Sequence, residues 1–424
     1  MHRRVSAATV YLLYEGAQGF ITRLTFTVFT VFAVVRLELD PLQLVLLGTV
    51  LEGTYLVFEV PTGVVADTVG RRVSVIVGLL GTGVAFLLLG VATSFLMAAL
   101  SQVLWGVFAT FQSGADVAWI TDEVGEPEAR RLYVRSDQLW HVTSLVGIVA
   151  SVALAAIDLR LPILLTGAGF IVLGLVMIVI MPEEGFRRRP RAEGESVLGG
   201  MVATFRDGVR AVRAHHVLLL VIATAALHGA STEGFDRLSD FHLLVDIGLP
   251  TIGGVDDIVW FGVLDGAALL VGFAAITVVK RRVHLEGHAH VAKVLAVIDV
   301  VLVVGVVAFA LTGSFALALG AFWVVAGMRS AREPIFIAWI NQGLDPSTRA
   351  TINSMGTQAD AVGQTAGGPT LGAIGNRSVP LALVVSGLLR LPALILYAVA
   401  VRRGNVGTLP PESTPRALDL DGSE

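Results

Sequence analysis

The sequence predicts an all-α integral membrane protein, with about twelve transmembrane helices arranged as two six-helix bundles. Three observations predict it. Of 424 residues, 54% are apolar and only 15% are charged, against roughly 25% charged in an ordinary soluble domain. The mean hydropathy is +0.77. A soluble fold of this size cannot hide so much apolar surface, so lipid is the expected solvent for most of the chain. About twelve apolar runs come near the roughly 20 residues that a helix needs to cross a bilayer. The basic residues between those runs fall on one side.

The first-half runs are 8–35, 42–66, 73–92, 95–121, 137–156 and 161–181. The second-half runs are 217–237, 258–279, 291–311, 315–340, 350–374 and 381–401. Most lack strict alternation, which argues against a transmembrane β-barrel. The N-terminus imitates a signal peptide, but the first run is too long and carries Glu15 and Arg23. It reads as an uncleaved first span.

With the N-terminus placed inside, the inner segments hold 22 of the 30 basic residues and the outer loops hold Arg36, Arg160 and Arg377. The other five, Arg23, Arg237, Arg329, Arg332 and Arg390, fall within spans. This asymmetry puts both termini on the cytoplasmic side of a cell membrane, and it supports the span count. The expected organisation is a six-helix bundle over 1–181, a basic linker over 182–216, a second bundle over 217–403 and a cytoplasmic tail over 404–424. Within the linker, apolar residues over 197–212 recur near helical spacing between arginines, as in an amphipathic surface helix.

An internal repeat supports two parallel halves. Ala118-Trp119-Ile120 ends the fourth span, and Ala338-Trp339-Ile340 ends the tenth, at equivalent places. A proline and an arginine follow each: Pro127 and Arg130, then Pro346 and Arg349. Gln138 and Gln358 keep the same offset. Two such halves are expected of one large class of secondary transporters.

Several function classes are excluded. The net charge of −4 offers no basic field for nucleic acid. There is no cysteine, hence no disulfide, thiolate nucleophile or cysteine-bound metal. No Gly-x4-Gly-Lys-Ser/Thr loop is present, so the energy source is expected to be an ion gradient rather than ATP. No hydrolase or zinc-protease signature occurs, and no enzymatic activity, cofactor or metal is expected. His284, Glu286, His288 and His290 are spaced for a metal but lie in an inner loop without a zinc-enzyme pattern. An integral-membrane transferase would need a polar cluster in a large loop. A non-transporting sensor would bind ligand and move none.

Between the second and third spans the chain reads Pro61-Thr62-Gly63-Val64-Val65-Ala66-Asp67-Thr68-Val69-Gly70-Arg71-Arg72. Gly63 permits close helix approach and Gly70 a tight turn. Asp67 suits the positive N-terminus of a neighbouring helix. Arg71 and Arg72 are placed to pair with Asp122 and Glu123 at the inner end of the fourth span; alternatively they only anchor the inner face. The stretch resembles the Gly-x3-Asp-x2-Gly-Arg-Arg/Lys loop of the major facilitator superfamily, with Thr68 where that family often has arginine. With twelve spans and a central inner loop, the resemblance covers nearly the whole chain. It implies that Gly63, Asp67, Gly70, Arg71, Arg72, Asp122 and Glu123 form a gate that latches the outward-open state. The matching loop after Gly272 keeps a basic cluster, Lys280-Arg281-Arg282, but lacks the acid.

Two further family patterns are imperfect. Gln102 stands where the fourth span usually has arginine. The Gly-Pro-x-x-Gly element of drug–proton antiporters is missing from the fifth span, whereas the eleventh has Gly368-Pro369-Thr370-Leu371-Gly372. In texture the chain looks most like bacterial efflux carriers of the tetracycline and macrolide type.

Charges within spans are costly, about 2.5–3.5 kcal/mol each on insertion scales, and so mark function or interior ion pairs. Glu15, Gln18 and Thr22 share a face of the first span, near Arg23. Glu52, Tyr55 and Glu59 share a face of the second. Asp116 lies toward the inner end of the fourth. His228, Glu233, Asp236 and Arg237 lie in the seventh, Asp265 in the eighth, Arg329, Arg332 and Glu333 in the tenth, and Asp360 in the eleventh. Glu233–Arg237 and Arg329–Glu333 have the spacing of helical ion pairs. The resemblance puts spans one, four, seven and ten around the cavity. Glu15, Arg23, Glu52, Asp116, Glu233, Arg329, Arg332, Glu333 and Asp360 are therefore the candidate proton and substrate residues, with Trp140 and Trp323 the better placed aromatics. The expected function is proton-coupled export of hydrophobic or amphipathic small molecules, including drugs, by a monomer. Proton-coupled uptake of a nutrient or metabolite is the alternative.

Overall fold

The computed structural model describes residues 5–187, 216–250, 257–282, 287–341 and 346–403, and these are helical apart from short turns. The expected amphipathic helix over 197–212, the tail and the loop residues His284 and Glu286 lie outside them. Nine stretches among the described residues are long and apolar enough to cross a bilayer. Three further long helices carry charge: His216–Phe241, Phe315–Ile340 and Pro346–Gly375. These twelve are the twelve spans. The chain is a multi-pass membrane protein.

Local chemistry starts several helices where the apolar run begins. Ser6, Ser94 and Ser378 accept from the N–H three residues on, capping the first, fourth and twelfth spans. Asp40 and Gln43 form a full capping box, and Pro41 opens the second helix, Pro41–Thr68.

Helix and apolar run do not always coincide. The fifth helix is Glu126–Ala155 and begins well before its apolar run. It starts at Gly125, whose φ of 80° favours glycine, and has Pro127 in its first turn. Hydropathy marks where lipid is, and polar first turns are helical outside it. Three spans are interrupted. The first breaks at Thr27–Val28, between Ala7–Phe26 and Phe29–Val35. The fourth breaks between Phe95–Gln112 and Ala115–Val124, where Gly114 is left-handed with φ 73°. The twelfth breaks between Val379–Leu388 and Leu391–Arg403, ahead of Pro392.

The halves pack alike. In the first, span one packs on five, three on four and six, and two on four. In the second, seven packs on eleven, nine on ten and twelve, and eight on ten. Each pairing has its counterpart six spans later, as the internal repeat implies. Trp119 and Trp339 are both buried at equivalent helix ends, beside Tyr11 and Tyr397 respectively. One apolar core lies within the first half, and the other, centred on the second half, also takes in Val28, Val31, Val45 and Ala155 of the first.

Glycines set the tightest approaches. Gly83 and Gly167 bring spans three and six together: a Cβ at Gly83 would stand 2.7 Å from the Gly167 carbonyl oxygen. Gly78 and Gly81 likewise receive Gln112 and Phe108 of span four. The glycine-rich third span is a packing face.

The two halves meet along span two with eleven and span five with eight. Helices in each bundle run between a basic end, bearing Arg71 and Arg130, and a short-loop end, bearing residues 36–40 and 376–378. The seam narrows toward the short-loop end. There the Asn376 side chain accepts from the Leu42 N–H at 2.8 Å. A Cβ at Gly375 or Gly372 would stand 3.0 Å from Pro41 or Leu42. At Gly53 the nearest atom, on Thr365, is 3.9 Å away, and at Gly63 and Gly356 nothing lies within 4 Å. The halves are therefore closed at the short-loop end and part toward the basic end. Gly63 makes no close helix contact in this conformation, contrary to expectation.

Gly83→Val is expected to destabilise the protein by about 1–3 kcal/mol, since backbone rather than a flexible side chain blocks the added atoms. Gly63→Ala, in open space on a helix, is expected to be neutral or stabilising. Melting temperatures of the two purified variants check the contrast.

Candidate functional site

At the basic end, Asp67 occupies the last turn of the second helix rather than a loop. Gly70, with φ 147°, turns the chain into the third helix, Arg71–Gly90. The Arg71 guanidinium lies 2.6 Å from Asp67 and 3.8 Å from Asp122. Together with Glu184, Gly185 and Arg187 they line a half-open cavity of about 570 Å³.

Arg72 and Glu123 do not pair with each other. The Arg72 guanidinium donates to the Ile178 carbonyl at 2.5 Å. Glu123 accepts from the N–H groups of Glu184 and Gly185, both at 2.6 Å. The acid at the N-terminus of the third helix is Glu183, not Asp67: its carboxylate accepts from the Arg72 N–H at 2.9 Å. A Cβ on Gly70 would come within 2.9 Å of the same carboxylate. Trp119 donates to the Pro182 carbonyl at 2.7 Å, and Gly185 lies directly on the Asp122 carbonyl. Residues 182–185 thus form a strap across the cluster. Sequence reasoning missed Glu183, whose Pro-Glu-Glu-Gly setting reads only as the start of a polar linker. In the second half, Gly272 packs on Ser330.

Between the halves lies the charged cleft. Glu233 is 1% exposed and accepts from Arg237 at 3.2 Å, as its spacing predicted. Both project onto Gly48 of span two, where a Cβ would collide with them. Glu52, one turn further, is within electrostatic reach of Glu233, Arg237 and Asp360. Asp360 accepts from Gln364 at 2.7 Å. The Arg329–Glu333 pair does not form. Arg329 instead grips Asp236 of span seven with both terminal nitrogens, one of them at 2.8 Å. Arg23 of span one reaches Asp265 of span eight at 3.8 Å, and Thr27 donates to the same carboxylate oxygen at 3.1 Å. Glu15 faces Asp116 and Tyr11 within the first half. Asp116, in the first turn of its helix, accepts from the Val117 N–H at 2.7 Å. Trp323 donates to the Leu264 carbonyl at 3.3 Å, and Trp140 is half-buried.

A buried network in the second half was not singled out. Asp299, 1% exposed, receives Arg332 at 3.0 Å and Arg390 at 3.1 Å. Arg332 also donates to Tyr397 and lies over the Phe336 ring, and Arg390 donates to His228 Nδ1 at 2.9 Å. Four spans are tied by this knot: seven, nine, ten and twelve. The break in span twelve falls at Arg390. Asp299 is the single carboxylate of the apolar run 291–311, a signal that was available. Arg332 is thus packed inside its own half.

The profile of the Major Facilitator Superfamily matches residues 16–287, well over half the chain. The chain belongs to this superfamily. It is a transporter by family and by fold. An uncharacterized MFS-type transporter of Bacillus subtilis (strain 168), YxaM, is 22% identical over 367 residues, spanning 85% of this chain and 88% of that one. Among solved structures, a bacterial homologue of the human lysosomal transporter Spinster, inward-facing and unoccupied, superposes with a TM-score of 0.73 at 15% identity, over 96% of this chain and 98% of that one. The nucleoside transporter NupG gives 0.74 at 11% identity, over 93% and 99%. These neighbours share the fold of the superfamily with this chain.

Removing Glu123 should free the strap. Glu123→Ala is expected to speed tryptic cleavage after Arg187 severalfold in the folded protein, whereas Arg130→Ala, on an exposed helix pair, should leave it unchanged. Limited proteolysis of the purified full chain reads the difference.

Proposed function

We propose that this chain is a proton-coupled exporter of hydrophobic or amphipathic small molecules, preferentially cationic ones, and that it works by alternating access. The carrying observation is a charge imbalance in the cleft. Each in-span arginine has a carboxylate: Arg23 with Asp265, Arg237 with Glu233, Arg329 with Asp236, and Arg332 and Arg390 with Asp299. Glu15, Glu52, Asp116 and Asp360 have no ion-pair partner among the described residues. The free charge of the cleft is negative, which suits protons and organic cations.

Basic loops favour the cytoplasmic side of the plasma membrane for the basic end and both termini. The conformation is then inward-open. Residues 1–181 and 217–403 rock as two units around the cleft, joined by 182–216 and followed by the tail 404–424. When the basic end closes, the Asp67–Arg71–Asp122 cluster is the latch, with Gly63, Gly70, Arg72 and Glu123 shaping it. The unpaired acids carry either a proton or the cationic end of the substrate. Competition between the two for the same carboxylates is a sufficient basis for exchange.

The second reading, proton-coupled uptake of a metabolite, draws on the fold neighbours that carry nucleosides and peptides. Cells expressing the chain and loaded with ethidium separate the two. Export predicts faster dye loss than in control cells, abolished by a protonophore and reduced severalfold by Glu15→Gln and by Asp67→Asn. Dye loss unchanged by expression, with labelled nucleoside or dipeptide accumulating instead, would replace export by uptake.

A further inference from the structure

The first span breaks at Thr27–Val28 although its local sequence, Leu24-Thr25-Phe26-Thr27-Val28-Phe29-Thr30, contains neither glycine nor proline. Kinks normally have such a local cause or an inserted side chain. Here the cause comes from the other half of the molecule. Thr27, buried in the seam, donates to Asp265 of the eighth helix, Asp257–Arg282, at 3.1 Å. Arg23, one turn earlier, reaches the same oxygen at 3.8 Å. Thr30, one turn later, faces Asp240 near the end of the seventh helix. The break is thus clasped by Asp265, with Asp240 facing it from the following turn.

The clasp is also open to the cleft. The side chains of Arg23 and Asp265 stay 30% and 28% exposed, unlike Asp299 at 1%. Asp240 and Asp265 lie within electrostatic reach of each other, and among the described residues Arg23 is the cation paired with Asp265. One proton therefore balances the site. Asp236, a turn before Asp240, is held by Arg329 of span ten. Span five brings the apolar Val152 and Ile148 against Gly262 of span eight, and span ten brings the Trp323 indole onto the Leu264 carbonyl.

We propose that Asp265 is the carboxylate whose protonation opens the short-loop end, with Arg23 and Thr27 as its positioning partners and Asp240 as the second carboxylate of the pair. This rests on the proton-coupled reading above. With Asp265 ionised, Arg23 and Thr27 hold the first span onto the eighth and the short-loop end stays shut, as seen. A proton taken up by Asp265 neutralises it and removes the attraction across the seam. The break in span one is released and the halves part at that end. When the proton leaves, Asp265 is ionised, Arg23 pairs with it again and the short-loop end shuts.

The chain has no native cysteine, so the test needs no substrate. Leu42→Cys and Asn376→Cys place thiols on either side of the shut short-loop end, and a short bifunctional thiol reagent traps that state in reconstituted full-length protein. Cross-linking is expected to fall at least about fivefold as the buffer is taken from mildly alkaline to mildly acidic. Asp265→Asn should give the low, pH-independent yield throughout. Asp265→Glu should restore the pH dependence, and Thr27→Val should shift it without abolishing it. An Asp265→Asn protein that keeps the parent yield and pH dependence overturns the proposal. So does transfer of the whole effect to Asp240→Asn. Absence of proton-coupled ethidium movement by the parent, with the Asp265-dependent switch intact, would instead count against the transport reading alone.

Discussion

A bilayer offers a buried guanidinium no water, and the rest of this structure depends on how each one is neutralised. The cost of an unpaired charge at mid-membrane, about 2.5–3.5 kcal/mol on insertion scales, is comparable to burying a large apolar side chain. It can therefore override helix-by-helix packing preference. Asp299 draws Arg332 and Arg390 together and fixes spans nine, ten and twelve in one register. Asp236 does the same for seven and ten through Arg329. Replacing a buried pair by apolar residues is often harmless, while removing one partner leaves a stranded charge. Such pairs are better at specifying which helices meet than at adding stability.

The ion pairs divide into two kinds by location. Inside the second half, Asp299 with Arg332 and Arg390 is tight and buried, and it ties that half together. The pair that crosses the seam, Arg23 with Asp265 at 3.8 Å, is looser, and the span-seven pair Glu233–Arg237 leans across the seam on Gly48. A mobile seam requires this difference. Interfaces built from backbone contacts at Gly372 and Gly375 gain van der Waals energy only while closed. They lose it wholly on parting and leave no buried polar group exposed to lipid.

Fold was largely legible in the sequence because a membrane span needs only length and apolarity, both local properties. The breaks were less legible. Gly114 and Pro392 signal two of them, but nothing local marks Thr27, whose break is imposed by Asp265, 238 positions away. Site residues were legible as charges in apolar runs, and their partners were not. Helical spacing correctly paired Glu233 with Arg237, both on one turn and one face. It wrongly paired Arg329 with Glu333, because a carboxylate on a neighbouring helix offered Arg329 a two-pronged contact that its own helix cannot. Glu183 escaped notice for a related reason. Its role depends on the chain folding back after span six, which no spacing rule encodes.

That fold-back gives the linker a physical connection to the basic-end cluster. Glu123 binds two consecutive N–H groups of the strap, and Glu183 caps the helix that carries Arg71. Any pull on the linker from the second half is therefore delivered to Asp122 and Arg71 through short hydrogen bonds rather than through a slack loop. The exposed ion pair Arg130–Glu126, by contrast, sits on the water side of the same end and transmits nothing, since surface pairs contribute about 0–1 kcal/mol. On the rocking-bundle reading, the strap explains why the cluster after span two carries the acid while the matching loop after span eight, Lys280-Arg281-Arg282, does without one. Among the described residues, the linker carboxylate Glu183 folds onto the first half, where Arg71 is held between Asp67 and Asp122.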